Sequence, residues 1–117
     1  MLTIRRKQMA VFAEVETKKF VDRMVIHLKK FFPKQCEAMG ESQLRETIRH
    51  GIKQAASYNI KAQRDVSRYV DLMIVLGHDF DRDKRLPWVG EVLRTRNSAD
   101  VRISVLLKTA QKHLRSA

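Results

Sequence analysis

Apolar side chains recurring every three or four residues, with few turn-making residues between them, constrain this chain more than any other feature. Phe20, Met24, Leu28 and Phe31 follow that step, Val21, Val25 and Phe32 widen the stripe, and Ile4, Met9, Phe12 and Ala13 extend it toward the N-terminus. On a helix of about 3.6 residues per turn these positions form one apolar face. Only four Gly and two Pro occur in 117 residues, too few for a sandwich or barrel that must turn about every ten residues.

The helix signals divide the chain. Thr3 is a candidate cap for a helix running to about Phe32, with a bend expected near Thr17. Pro33 opens a short helix to Met39, and Gly40 follows its end. Ser42 is positioned to cap the next helix, whose buried face is Leu44, Ile48, Ile52 and Ala55. Gly51 lies on that face, where a missing side chain admits a neighbouring backbone, and Tyr58-Asn59 makes the stop.

A helix from about Lys61 to Leu76 carries Val66, Tyr69, Val70 and Met73 on one face, and Gly77 ends it. Its last five residues are all apolar, as in a buried strand, but their continuity with the helical spacing decides for a central helix. Residues 78–87 form a dense polar loop, and Pro87 to Arg94 is a second short helix. Asn97-Ser98 caps the last helix, which turns Ile103, Leu106, Leu107, Ala110 and Leu114 inward and Arg102, Lys108, Lys112 and Arg115 away. The expected fold is all-α: a single compact helical bundle of about four long and two short helices, one domain over residues 1–117.

Charge is uneven. The chain carries 24 Lys and Arg against 13 Asp and Glu, a formal net charge of +11. Residues 1–34 hold nine basic and three acidic side chains, residues 35–93 nine of each, and residues 94–117 six and one. The excess therefore belongs to the two ends. Terminal helices lying side by side would make one positive face that attracts phosphates, anionic lipid or an acidic protein; the alternative is a solvated face that serves solubility. No run approaches the roughly 20 apolar residues of a membrane span, and no signal-peptide core is seen. Cytosol is the expected compartment.

Candidate chemistry is sparse. Asp79, Asp81 and Asp83 start like a calcium loop, but the sixth position is Lys84 instead of Gly and the twelfth is Gly90 instead of Glu. His27, His50, His78 and His113 include no two at metal-ligand spacing. His78-Asp79 offers one acid–base pair without a nucleophile. Cys36 alone builds neither a disulfide nor a cysteine zinc site. Asp71, inside the most apolar helix, needs a partner, and Arg68 or Arg64 is within helical reach. These readings predict no catalytic residue, no metal and no cofactor. Phe80 and Trp88 flank the acidic loop, either as plugs on the core or as binding anchors. The candidate partner-binding residues are Asp79, Phe80, Asp81 and Trp88. The alternative is a nucleic-acid-binding module that holds phosphates through its basic terminal helices.

The runs Phe20-Val-Asp-Arg-Met-Val-Ile-His-Leu-Lys-Lys-Phe-Phe-Pro33, Ile48-Arg-His-Gly51, Arg68-Tyr-Val-Asp-Leu-Met73, Gly77-His-Asp-Phe-Asp81 and Leu86-Pro-Trp88 span nearly the whole chain. With them it resembles a family of small helical bacterial proteins encoded beside type VI secretion spike and toxin components. The resemblance implies an adaptor or chaperone for a secreted effector or its spike protein, working in the bacterial cytosol and without enzymatic activity. The basic load at both ends and Lys84-Arg85 before Leu86-Pro87 depart from the family pattern.

Overall fold

A computed structural model describes residues 14–116, with side chains for 17–114. The expected Thr3 cap and the Ile4–Phe12 part of the first stripe lie outside the described residues. Within them the fold is all-α. Four long helices, α1 (Glu14–Phe31), α3 (Glu41–Ser57), α4 (Gln63–Leu76) and α6 (Ala99–Ser116), are joined by two short ones, α2 (Pro33–Met39) and α5 (Pro87–Leu93), and a 3-10 turn at Phe80–Arg82. The helix α1 runs through Thr17 without a break.

The buried side chains form one core. Its centre is α4, which packs against α1, α3 and α6, while α2 wedges between α1 and α3 and α5 braces α6. Val66, Tyr69 and Val70 of α4 are wholly buried. Each of the two valines contributes about 1.5–3 kcal/mol by leaving water. The terminal helices α1 and α6 each dock on α4 and do not form a packed pair with one another. Among the described residues the two terminal helices therefore share α4 as a neighbour without packing on each other. No helix among the described residues is long and apolar enough to cross a membrane.

Local signals explain the boundaries. Asn59 closes α3 in the left-handed region at φ 60. Its N–H bonds to the Ala56 carbonyl, the Ile60 N–H reaches back to Ala55, and Ile60 is buried. This is the Schellman arrangement, with Asn in the position more often held by Gly. Ser42 is not a cap: α3 begins at Glu41, with Gly40 preceding it at φ 82. The expected start of α4 at Lys61 moves to Gln63. At Gly51 an added Cβ would come within 2.8 Å of both Met73 Sδ and Val70 Cγ2. The missing side chain is what lets α4 press against α3.

Candidate functional site

The polar loop after α4 folds inside out relative to its composition. Gly77, at φ 125, ends α4 and redirects the chain. Phe80 then drops into the core, 1% exposed, against Tyr69 with ring centroids 5.0 Å apart. Asp81 follows it inward, and its Oδ2 accepts a 2.6 Å hydrogen bond from the Tyr58 hydroxyl. Burial first, then this hydrogen bond to a carboxylate, pushes the Tyr58 phenol up to about 12. Burial, followed by the Asp81 charge, also raises the Tyr69 phenol. Asp83 is tied to Arg85 at 2.9 Å, which holds its carboxyl below the usual range. Arg82, Lys84 and Arg85 are left facing solvent.

Of the four residues expected at a partner surface, Phe80 and Asp81 are thus core residues. Trp88 is partly buried, with its indole N–H enclosed and its ring 6.0 Å from that of His113. Asp79 alone stands well out, at 63% side-chain exposure. Of the loop's charges, Asp79, Arg82, Lys84 and Arg85 face solvent, while Asp81 is buried and Asp83 half-buried. The reason is energetic. The ring of Phe80 gains more from burial than any loop residue, and Asp81 next to it finds a hydroxyl donor that makes its own burial tolerable.

Asp79 does not turn to its sequence neighbour. Its Oδ1 lies 3.4 Å from His50 Nε2 on α3, and the ring of His78 stacks on that of His50, with centroids 4.2 Å apart and planes 16° apart. The close approach at Gly51 and the turn at Gly77 bring these groups together from distant parts of the chain. His50 Nε2 is shielded from water and makes no hydrogen bond of good geometry. A surface hollow of 370 Å³ lined by Leu76, Gly77, His78, Asp79, Arg82 and Arg85 adjoins this cluster. The sequence spacing of the histidines conceals this meeting.

A second, half-buried cluster lies where α1 meets α4. Asp71 accepts a 3.0 Å hydrogen bond from His27 Nε2, so its partner is a histidine of another helix and neither Arg68 nor Arg64. Desolvation raises the Asp71 carboxyl above its ordinary value, against the opposing pull of His27. Arg23 bonds Gln63 further back on the same seam, so the two helices advance in the same sense. Phe31, one turn past His27, is 60% exposed. Its ring is 4.9 Å from that of His27, and the Lys30 ammonium lies 5.5 Å from its centroid. Val75, one turn past Asp71, is exposed as well.

Arg102, which helical spacing turns toward solvent, is instead buried, 6% exposed. It donates to the carbonyls of Tyr58, Leu93 and Asn97 at 2.8, 3.1 and 3.1 Å. Those carbonyls close α3, close α5 and precede α6. The negative ends of two helices compensate the buried cation without a carboxylate.

No family model, no curated protein and no solved structure matches the chain.

Proposed function

We propose that this protein is a non-catalytic accessory protein, an adaptor or chaperone, that takes a partner protein on the α1–α4 seam. Phe31 supports the reading most directly. It is a large aromatic ring held in solvent between an imidazole and an ammonium group. Aromatic anchors ringed by polar groups dominate the energy of protein interfaces. Lys30 beside the ring and Lys34 on α2 favour an acidic partner segment with an apolar residue to set against Phe31. The resemblance to proteins encoded beside type VI secretion components nominates a secreted effector or spike protein, met in the bacterial cytosol.

The test is capture from the native cytosol by the wild-type protein and by Phe31→Ala, with helicity measured on both. A specific protein retained by the wild type and weakened at least about tenfold, roughly 1.4 kcal/mol, in the folded variant supports the reading. Equal retention overturns the seam. Capture of nucleic acid alone, falling steeply with salt, favours instead a phosphate-binding module using the exposed bases.

A further inference from the structure

We propose that His50, His78 and Asp79 form a binding site for a divalent transition ion of the zinc class. The site shares no residue with the α1–α4 seam and stands or falls independently of the adaptor reading.

Three observations carry it. The first is geometric: one donor atom from each residue lies within 4.8 Å of the other two. A tetrahedral zinc ion with bonds of about 2.0–2.2 Å holds its ligand atoms roughly 3.3–3.5 Å apart. Closing the set therefore needs the donor atoms to draw together by up to about 1.5 Å and the His78 ring to turn out of its stack on His50, so that both imidazole lone pairs meet one ion. His78 and Asp79 sit on an exposed turn where side-chain rotation supplies this, while His50 is fixed on α3.

The second is an unmet bond. His50 Nε2 is shielded from water, and its nearest partner, Asp79 Oδ1 at 3.4 Å, does not make a hydrogen bond of good geometry with it. A polar atom withdrawn from solvent without a partner costs about 1–3 kcal/mol. A coordinate bond to a metal would remove that cost at the nitrogen nearest the Asp79 carboxylate.

The third is donor chemistry. Two imidazoles and one carboxylate suit zinc, cobalt, nickel or copper, whereas calcium and magnesium prefer all-oxygen sites with more carboxylates. The surroundings sharpen that choice. Arg49 and Lys53 line the hollow beside His50 together with Glu46, and Arg82 lines the one beside His78. Hard cations held chiefly by charge are disfavoured in that positive fringe. Ions that form strong bonds to neutral imidazole are less affected. Three protein ligands leave the fourth tetrahedral position for water.

The experiment is calorimetric titration of the untagged full chain with Zn²⁺, and visible spectroscopy with Co²⁺ as the geometric probe. One equivalent of Zn²⁺ should bind, and Co²⁺ should give the intense visible bands of a tetrahedral site. Binding should weaken at least about tenfold in His50→Ala and in His78→Ala, less in Asp79→Asn, and not at all in His113→Ala. Excess Ca²⁺ or Mg²⁺ should not compete. Absence of stoichiometric Zn²⁺ binding by the folded wild type overturns the proposal. So does binding that survives the His50→Ala/His78→Ala double variant, or is lost with His113→Ala. Wild-type Co²⁺ spectra decide the geometry even where a variant folds poorly: bands of an octahedral ion count against the site.

Discussion

The turn after α4 and the seam between α1 and α4 are built from the same three parts and end on opposite sides of the protein surface. Each has an aspartate, a ring that donates to it from a distant part of the chain, and a phenylalanine alongside: Asp81 with Tyr58 and Phe80, Asp71 with His27 and Phe31. At the turn the phenylalanine is buried and the carboxylate is closed off. At the seam Phe31 is in solvent and the Asp71 carboxylate is partly wet. Local composition therefore does not set the fate of a ring among charges. What decides is whether the chain direction carries it over the core, as Gly77 does for Phe80, or past the core's edge, as the end of α1 does for Phe31.

The largest expected effect tests that contrast directly. Phe80→Ala should lose about 3–5 kcal/mol of stability to urea, as buried aromatic truncations do. Phe31→Ala should change stability by less than about 0.5 kcal/mol, as surface changes do. Similar losses in both would break the comparison.

Arg102 sharpens it from inside the turn region. Arg102→Ala should cost about 3 kcal/mol or more in chemical denaturation, because three carbonyls at element ends lose their donor. Arg102→Lys should recover only part, since one ammonium cannot reproduce the fork of the guanidinium.

The hydroxyl of Tyr58 comes next. Tyr58→Phe should cost about 1–3 kcal/mol by leaving the Asp81 carboxylate buried without its donor. Both tyrosines of the chain have phenols raised above the ordinary 10.0. The folded protein should therefore show no phenolate absorbance at that pH, and the urea-unfolded chain should show two tyrosines ionising there. The unfolded state releases these protons first, so stability should fall as pH rises past 10.0 toward about 12. Ordinary tyrosine titration in the folded protein would show the turn to be open.

The seam should respond least. The raised Asp71 carboxyl means the folded state binds its proton more tightly than the unfolded state, whose value is near 3.8. Stability from that group is complete below 3.8 and is lost as pH rises through the higher folded value. Asp71→Asn should match the wild type at low pH and gain on it above that window, by under about 1 kcal/mol because solvent screens the site. Urea midpoints compared across acidic pH check the sign, and a loss near neutrality would show that the His27 contact outweighs desolvation.

Much of the architecture is legible without any tertiary information. Four long and two short helices, the stop at Asn59, the breaks at Gly40 and Gly77 and the close approach at Gly51 all follow from periodicity and from residues that tolerate special backbone angles. The site is far less legible. Asp71 points to Arg64 or Arg68 because helical spacing only sees neighbours on the same helix, and its partner comes from α1. Arg102 sits one residue before Ile103 and looks like a solvent-facing base. Its burial depends on where α3 and α5 end, which no local pattern encodes.

The helices, most of their boundaries and the greater part of their buried faces follow from the amino-acid order, because these depend on interactions within a few residues, although Phe31 and Leu114 of the apolar stripes stand in solvent and Arg102 turns inward. Tertiary structure alone decided which polar groups meet: His50 with His78 and Asp79, His27 with Asp71, Arg102 with three helix-end carbonyls. Such pairings depend on crossing geometry and on which charges can be desolvated in company, quantities set only when α4 settles among its neighbours. The loop that composition marks as acidic shows the same division. Its residues are plain in the sequence, but the pull of Phe80 into the core decided that Asp81 would be buried beside it while Asp79, Arg82, Lys84 and Arg85 stay in solvent.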